Sequence, residues 1–246
     1  MTHESMTNRG QTILVISAHA ADFVWRAGGA IALYAERGCR VRILCLSYGE
    51  RGESERLWQQ PGMTLDRVKQ LRRAESEKAA DILGAEIRFF DSGDYPLQPS
   101  EETIHEMVLE FRRHQPELVL THSLADPYNP DHPAASELTL RTRIYAQAAG
   151  YPAEGKKLEA PPVFLFEPHQ PEQCDFHPQV LLDITPVFER KRKAMESMEA
   201  QEHLWQYYTD LALRRGVQAV RNSGRKAIKY AEAFQRLYPQ VASELS

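Results

Sequence analysis

The chain has 246 residues, of which 42% are hydrophobic and 26% charged, with a formal net charge of −4. That hydrophobic share supports a sizeable core, and the acidic balance excludes an overall basic field for nucleic acid or anionic membrane. Met1 to Thr12 contains no apolar signal region, no segment approaches the ~18 apolar residues of a membrane span, and Cys39, Cys45 and Cys174 show no CxxC spacing; a cytoplasmic protein is expected.

Apolar runs and helical periods alternate along the chain. Residues 1–11 are read as a disordered tail, and Ile13–Ser17 as a strand buried on both faces. Trp25–Arg37 has helical spacing, with Gly38 placed to end it. Val41–Ser47 is a second strand, with Cys45 a small core residue, and the polar loop Tyr48–Met63 follows. Thr64 caps a predicted helix running to Leu83, and Gly84 stops it. Glu86–Asp91 is a third strand, Ser100 opens a helix to about Arg113, and Leu118–His122 is a fourth strand.

A loop rich in Pro and Asp reaches Pro133 and leads into a helix to Ala149. After the linker Gly150–Pro162 come strands at Val163–Phe166 and Val180–Ile184, and Pro186 to about Tyr238 reads as helical. The basic run Arg190–Lys193, interleaved with Glu189 and Glu196, reads as a solvated helix face. Strand–helix alternation of this kind predicts one α/β domain spanning residues 1–246. It would be Rossmann-like, with a mostly parallel sheet flanked by helices and a helical C-terminal extension. No GxGxxG follows the first strand, so a dinucleotide cofactor is not expected. Gly28 and Gly29 are read as allowing close packing of a helix start on the sheet.

Ligand crevices of open α/β sheets lie beyond the carboxyl ends of the strands. His19 and Asp22 follow the first strand there, and His122 and the segment Asp126-Pro-Tyr-Asn-Pro-Asp-His132-Pro follow the fourth. Two imidazoles and a carboxylate leaving one position open match a catalytic zinc site. His19, Asp22 and His132 are therefore the expected ligands of one Zn²⁺ per chain, although the donor set also suits other divalent ions.

HxxD at the end of the first strand, Gly28-Gly29 and the distal Pro-Asp-His-Pro together resemble the zinc-dependent PIG-L (LmbE-like) deacetylases, as do Arg72-Arg-Ala-Glu75 and Leu182-Asp-Ile-Thr185. The resemblance runs from about Thr12 to about Tyr238 and implies a lactate-dehydrogenase-like fold with zinc on those same three ligands. Two positions depart from the pattern. Ala21 stands where the deacetylases carry their general-base aspartate, and Asn129 where they commonly carry a histidine. Loss of a general base typically costs about 10²–10⁴ in rate.

Ser17–Gly29, Cys45–Ser54, Asp126–Pro133, Phe166–Cys174 and Gln201–Trp205 resemble a branch of the family that hydrates an unsaturated tricarboxylate. That resemblance implies zinc acting as a Lewis acid, with deacetylation of an N-acetyl amino sugar as the rival activity. Glu50 is the first-choice base and Glu53 the second; His169 is the expected acid or carboxylate contact. Arg51 and Arg26 are candidate carboxylate clamps, His122 is a candidate either for supporting the ligands from behind or for contacting substrate, and Asn129 is a further substrate contact. The expected partners are a small-molecule tricarboxylate and further copies of the chain, with neither nucleic acid nor membrane.

Overall fold

The computed structural model describes residues 10–242; most of the N-terminal tail lies outside the described residues. Seven strands, β1 (Thr12–Ser17), β2 (Arg40–Cys45), β3 (Glu86–Phe89), β4 (Leu118–Thr121), β5 (Val163–Phe166), β6 (Val180–Asp183) and β7 (Ala231–Arg236), form one sheet in the order β3-β2-β1-β4-β5-β7-β6. Pairing is parallel from β3 through β5 and antiparallel on both sides of β7.

Among the described residues, seven α-helices accompany the sheet: α1 (Asp22–Glu36), the short α2 (Glu55–Trp58), α3 (Leu65–Leu83), α4 (Glu101–His114), α5 (Asp131–Gln147), α6 (Phe188–Glu196) and α7 (Leu204–Ser223). The period of two in β1 divides the core. Ile13 and Val15 join Phe23, Ile31, Leu83, Phe188 and Met195 on one face. Leu14 and Ile16 join Met107, Phe111 and Leu138, from α4 and α5, on the other. The β1 run is buried over its whole length, as its apolar composition predicts.

The caps follow the sequence closely. The Thr64 and Ser100 side chains accept from the backbone amides of Arg67 and Thr103, and α3 ends at Gly84. Among the described residues, no helix is long and apolar enough to cross a membrane.

Three expectations are corrected. The C-terminal region is not helical to Tyr238: α7 ends before Gly224, and Ala231–Arg236 forms β7. That hexapeptide, Ala-Glu-Ala-Phe-Gln-Arg, consists largely of good helix formers, and its strand conformation comes from pairing with β5 and β6 on either side. The helix after β4 begins at Asp131, which puts His132 in its first turn instead of in a loop. The basic run is not wholly solvated, because Lys191 is buried and its Nζ lies 2.7 Å from Glu232 Oε1.

Glu232 also explains Gly28-Gly29. Its two carboxylate oxygens accept from the amides of Gly29 (2.7 Å) and Ala30 (2.8 Å) in the middle of α1. A Cβ on Gly29 would stand 2.7 Å from Ile184 and 2.9 Å from Glu232 Oε1, so only glycine admits this approach.

Candidate active site

The polar residues of the crevice come from the carboxyl ends of five neighbouring strands: His19 after β1, Glu53 after β2, Asp94 after β3, Asp126 to His132 after β4 and His169 after β5. Gly49 turns the chain after β2 with φ +64°, a conformation that suits glycine. A Cβ there would meet His19 Cβ at 3.3 Å and Glu53 Cβ at 3.2 Å, so this turn lets Glu53 fold back over His19.

His19 is fully buried and divides two groups of carboxylates. Its Nδ1 lies 3.1 Å from Asp22 Oδ2 and 3.3 Å from Glu53 Oε1. Its Nε2 lies 3.2 Å from Asp94 Oδ1 and 3.3 Å from Asp131 Oδ2. Asp131 is itself anchored by the amides of Tyr95 and Leu97, both at 2.9 Å. Asp94 Oδ2 accepts from the amides of Arg51 (2.5 Å) and Gly52 (2.9 Å). Burial opposes charge on His19, yet Glu53, Asp131, Asp22 and Asp94 outweigh it and hold its pKa well above the ordinary imidazole value.

His132 is oriented from behind. Its Nδ1 is 2.8 Å from Asp126 Oδ2, and that carboxylate is fixed by the amides of Tyr128 and Asn129. An ionised carboxylate only accepts, so an Nδ1 proton faces Asp126 and Nε2 is the ring atom left to face the crevice. His132 Nε2 is buried, 3.4 Å from Asp22 Oδ1, and has no hydrogen-bond partner. Burial would raise the Asp22 pKa, but His132 and His122 hold it well below the carboxylate range.

His19, Asp22, Glu53 and His132 can together present one ligand atom each to a single cation. A metal ion fits on two further counts: a buried imidazole nitrogen, His132 Nε2, lacks a partner, and carboxylates crowd the same point. A cavity of about 230 Å³ opens directly above, lined by Asp22, Arg26, Glu53, His132, His169 and Gln201 among others.

The structure brings together His19, Asp22, His132, Arg26, Asn129 and His169, sets His122 directly behind the ligands, and separates Glu50 and Arg51 from them. Glu50 is buried facing away: its Oε2 accepts from the Tyr48 amide at 3.1 Å and its Oε1 lies 3.6 Å from Lys69 Nζ. Glu53, three residues on and the second-choice base, is the one that lines the cavity, 3.3 Å from His19. Arg51 is exposed and turns to the Asp94 carbonyl, lining a separate cavity with Arg88 and Ser100. His122 lies beneath the crevice floor, its Nε2 accepting from the Ala18 amide at 2.9 Å and its ring stacked 4.3 Å from that of His132. Burial and His132 press the His122 pKa well below the imidazole value, so this ring is a neutral wall under the ligands.

Arg26 donates to Asp22 Oδ1 (3.3 Å) and to the Glu167 carbonyl (3.2 Å) while lining the cavity. Asn129 also lines it, with Oδ1 accepting from the Asp131 amide at 3.1 Å. His169 sits at the rim, its ring stacked 4.2 Å from Tyr207, and burial together with Arg26 lowers its pKa. The sequence reading missed Asp94, Asp131 and Gln201. Two of them had a visible signal, Asp131 in Pro-Asp-His-Pro and Gln201 as the first residue of the segment Gln201–Trp205. Ala21 is buried in the core with no exposed surface.

The fold and the site define the class: the chain belongs to the PIG-L family, whose model, described as GlcNAc-PI de-N-acetylase, matches residues 14–142. Within that class it is 52% identical, over its whole length and 96% of the relative's, to the 4-oxalmesaconate hydratase of Pseudomonas putida KT2440. The crystal structure of GalB, the 4-carboxy-2-hydroxymuconate hydratase of P. putida KT2440, superposes with a TM-score of 0.94 at 54% identity, covering 96% of this chain and 100% of that one. A more distant relative is the 1D-myo-inositol 2-acetamido-2-deoxy-alpha-D-glucopyranoside deacetylase of Rhodococcus erythropolis, 28% identical over 63% of this chain and 60% of its own.

Proposed function

We propose that this chain is a metal-dependent hydratase that adds water to 4-carboxy-2-hydroxymuconate, or its keto form 4-oxalomesaconate, giving 4-carboxy-4-hydroxy-2-oxoadipate. The observation that carries this reading is the exchange of carboxylates in the crevice. The methyl group of Ala21 is buried in the core, while Glu53 arrives from a different strand end and stands 3.3 Å from His19. The 52% identity to a named hydratase supports the same reading.

His19, Asp22 and His132 would hold one zinc ion, which when bound supplies a Lewis acid for the enolate oxygen that develops during conjugate addition. The remaining chemistry falls to the protein. One O–H bond of water breaks as a C–O bond forms at the carboxyl-bearing alkene carbon, and a C–H bond forms at its neighbour.

Glu53 takes the proton from water. Its Oε2 is buried without a hydrogen-bond partner, so an acceptor is ready. The proton that Glu53 takes up passes by way of solvent to His169 at the rim, whose ring, neutral at rest because burial and Arg26 lower its pKa, gives it to carbon and ends the cycle neutral again, as Glu53 ends it ionised. Arg26 stays charged, because Tyr208, Asp22, Glu53 and Asp126 outweigh burial, and it meets a substrate carboxylate.

The test is direct. Zinc-loaded protein supplied with 4-carboxy-2-hydroxymuconate is expected to remove the conjugated absorbance; no turnover overturns the reading. Acetate release from N-acetylglucosamine derivatives would restore the deacetylase instead.

A further inference from the structure

Gln201 ends a short 3₁₀ turn (Glu199–Gln201) between α6 and α7, far in sequence from His19, Asp22, Glu53 and His132. It is buried, yet it lines the cavity alongside Asp22, Glu53 and His132. Its Oε1 accepts from Arg72 Nη2 at 2.8 Å and from Trp25 Nε1 at 3.4 Å. Guanidinium and indole nitrogens only donate, so the amide oxygen must be the arm facing them. The other arm is therefore an NH₂ group, and among the described residues it donates to no acceptor.

This orientation is held by the interior. Arg72 has no exposed surface, donates to the Tyr48 carbonyl at 3.4 Å, and meets Glu75 Oε2 at 2.7 Å. Glu75 Oε1 in turn accepts from the Ala200 amide at 2.9 Å, which pins the 3₁₀ turn to α3. A donor that costs no reorientation on binding suits recognition of an anion. The cavity needs such donors, since Asp22, Glu53 and Asp126 in its wall all repel carboxylates.

We infer that Gln201 is a specificity-determining residue whose carboxamide N–H binds a carboxylate of the substrate, with Arg72 and Trp25 as the groups that position it. This inference rests on the hydratase reading and adds the residue that selects a polyanionic substrate.

Gln201→Glu is the discriminating variant. The new carboxylate still accepts from Arg72 and Trp25, but the arm facing the cavity changes from donor to acceptor. A hydrogen bond to a charged group is worth enough that KM should rise about 10- to 100-fold. The kcat, zinc content and Tm are expected to stay near wild type. Titration with propane-1,2,3-tricarboxylate should show a parallel loss of affinity. Gln201→Met, which strands the donors of Arg72 and Trp25, should lower Tm as well as raise KM.

An unchanged KM in Gln201→Glu overturns the inference. So does a loss confined to kcat with a displaced acid limb of the pH–rate profile, because Gln201 would then be acting on Glu53. Wild-type protein that fails to hydrate 4-carboxy-2-hydroxymuconate overturns the hydratase reading instead. The tricarboxylate titration then decides Gln201 by itself: weaker binding by the variant supports it, and equal binding overturns it.

Discussion

Two groups of buried charge lie on either side of α1. In the core, Lys191 meets Glu232, and every charged atom of that pair is occupied. Glu232 Oε1 accepts from Lys191 Nζ and the Gly29 amide, Oε2 accepts from the Ala30 amide, and Lys191 Nζ also donates to the Trp25 carbonyl at 2.9 Å. In the crevice, Asp22, Glu53, Asp94 and Asp131 surround His19, while His132 Nε2 and Glu53 Oε2 are buried without partners. Both groups are hidden from solvent, with only Glu53 partly exposed. They differ in whether coordination capacity is left over, and that difference separates a charge pair that holds the fold from a cluster that can bind and react. Burial alone would have ranked them together.

The sharpest way to break the comparison is to remove the unpartnered imidazole. His132→Ala is expected to lose bound metal and turnover together, measured by metal stoichiometry and substrate consumption; full activity would refute the ligand assignment. Next comes the base. Glu53→Gln should retain metal and lose at least about 100-fold in turnover, on the usual scale for general-base removal. Glu50→Gln should stay near the wild-type rate, because that carboxylate serves Tyr48 and Lys69.

The contrast between these two glutamates also marks how far the sequence could be read. Strand ends are visible as apolar runs that stop, so His19, Asp22 and His132 could be placed around one crevice from β1 and β4 alone. Three positions of loop separate Glu50 from Glu53, and the left-handed turn at Gly49 decides which of them faces His19. Nothing in residue type encodes that choice. Asp94 and Gln201 reach the site from a loop after β3 and a turn before α7, so their proximity is purely tertiary. The same limit hid β7, whose helix-forming composition yields to its two neighbouring strands. It also hid Lys191, whose basic flanks Arg192 and Lys193 are exposed as expected.

The closed pair should answer mutation differently from the crevice. Lys191→Met leaves Glu232 buried without its counter-charge, and breaking such a pair typically costs about 3–5 kcal/mol. For a chain of this size that corresponds to a fall in Tm of roughly 10 °C. Turnover well below the melting range should be kept, because Lys191 meets the crevice wall only through the backbone carbonyl of Trp25, which α1 holds in place. If Lys191→Met instead cost turnover with Tm intact, the distinction between the two groups of charge would fail.

A third buried carboxylate gives the smallest effect and tests the rule at the edge of the sheet. Glu110 on α4 has a fully buried side chain, paired with Arg88 at 2.7 Å and Arg42 at 3.2 Å. Burial raises its pKa, but those two guanidiniums outweigh it and leave the folded value below that of the unfolded chain. A group of this kind contributes stability that is fully present above the unfolded carboxylate pKa and is lost as pH falls through the folded one. Denaturant unfolding across the acid range should therefore show a slope that Glu110→Gln reduces, while turnover at neutral pH is unaltered. Because Glu110 is a filled pair like Lys191–Glu232, a change in turnover in that variant would mean that filled pairs far from the crevice also govern chemistry, and the separation drawn from α1 would not hold for the molecule as a whole.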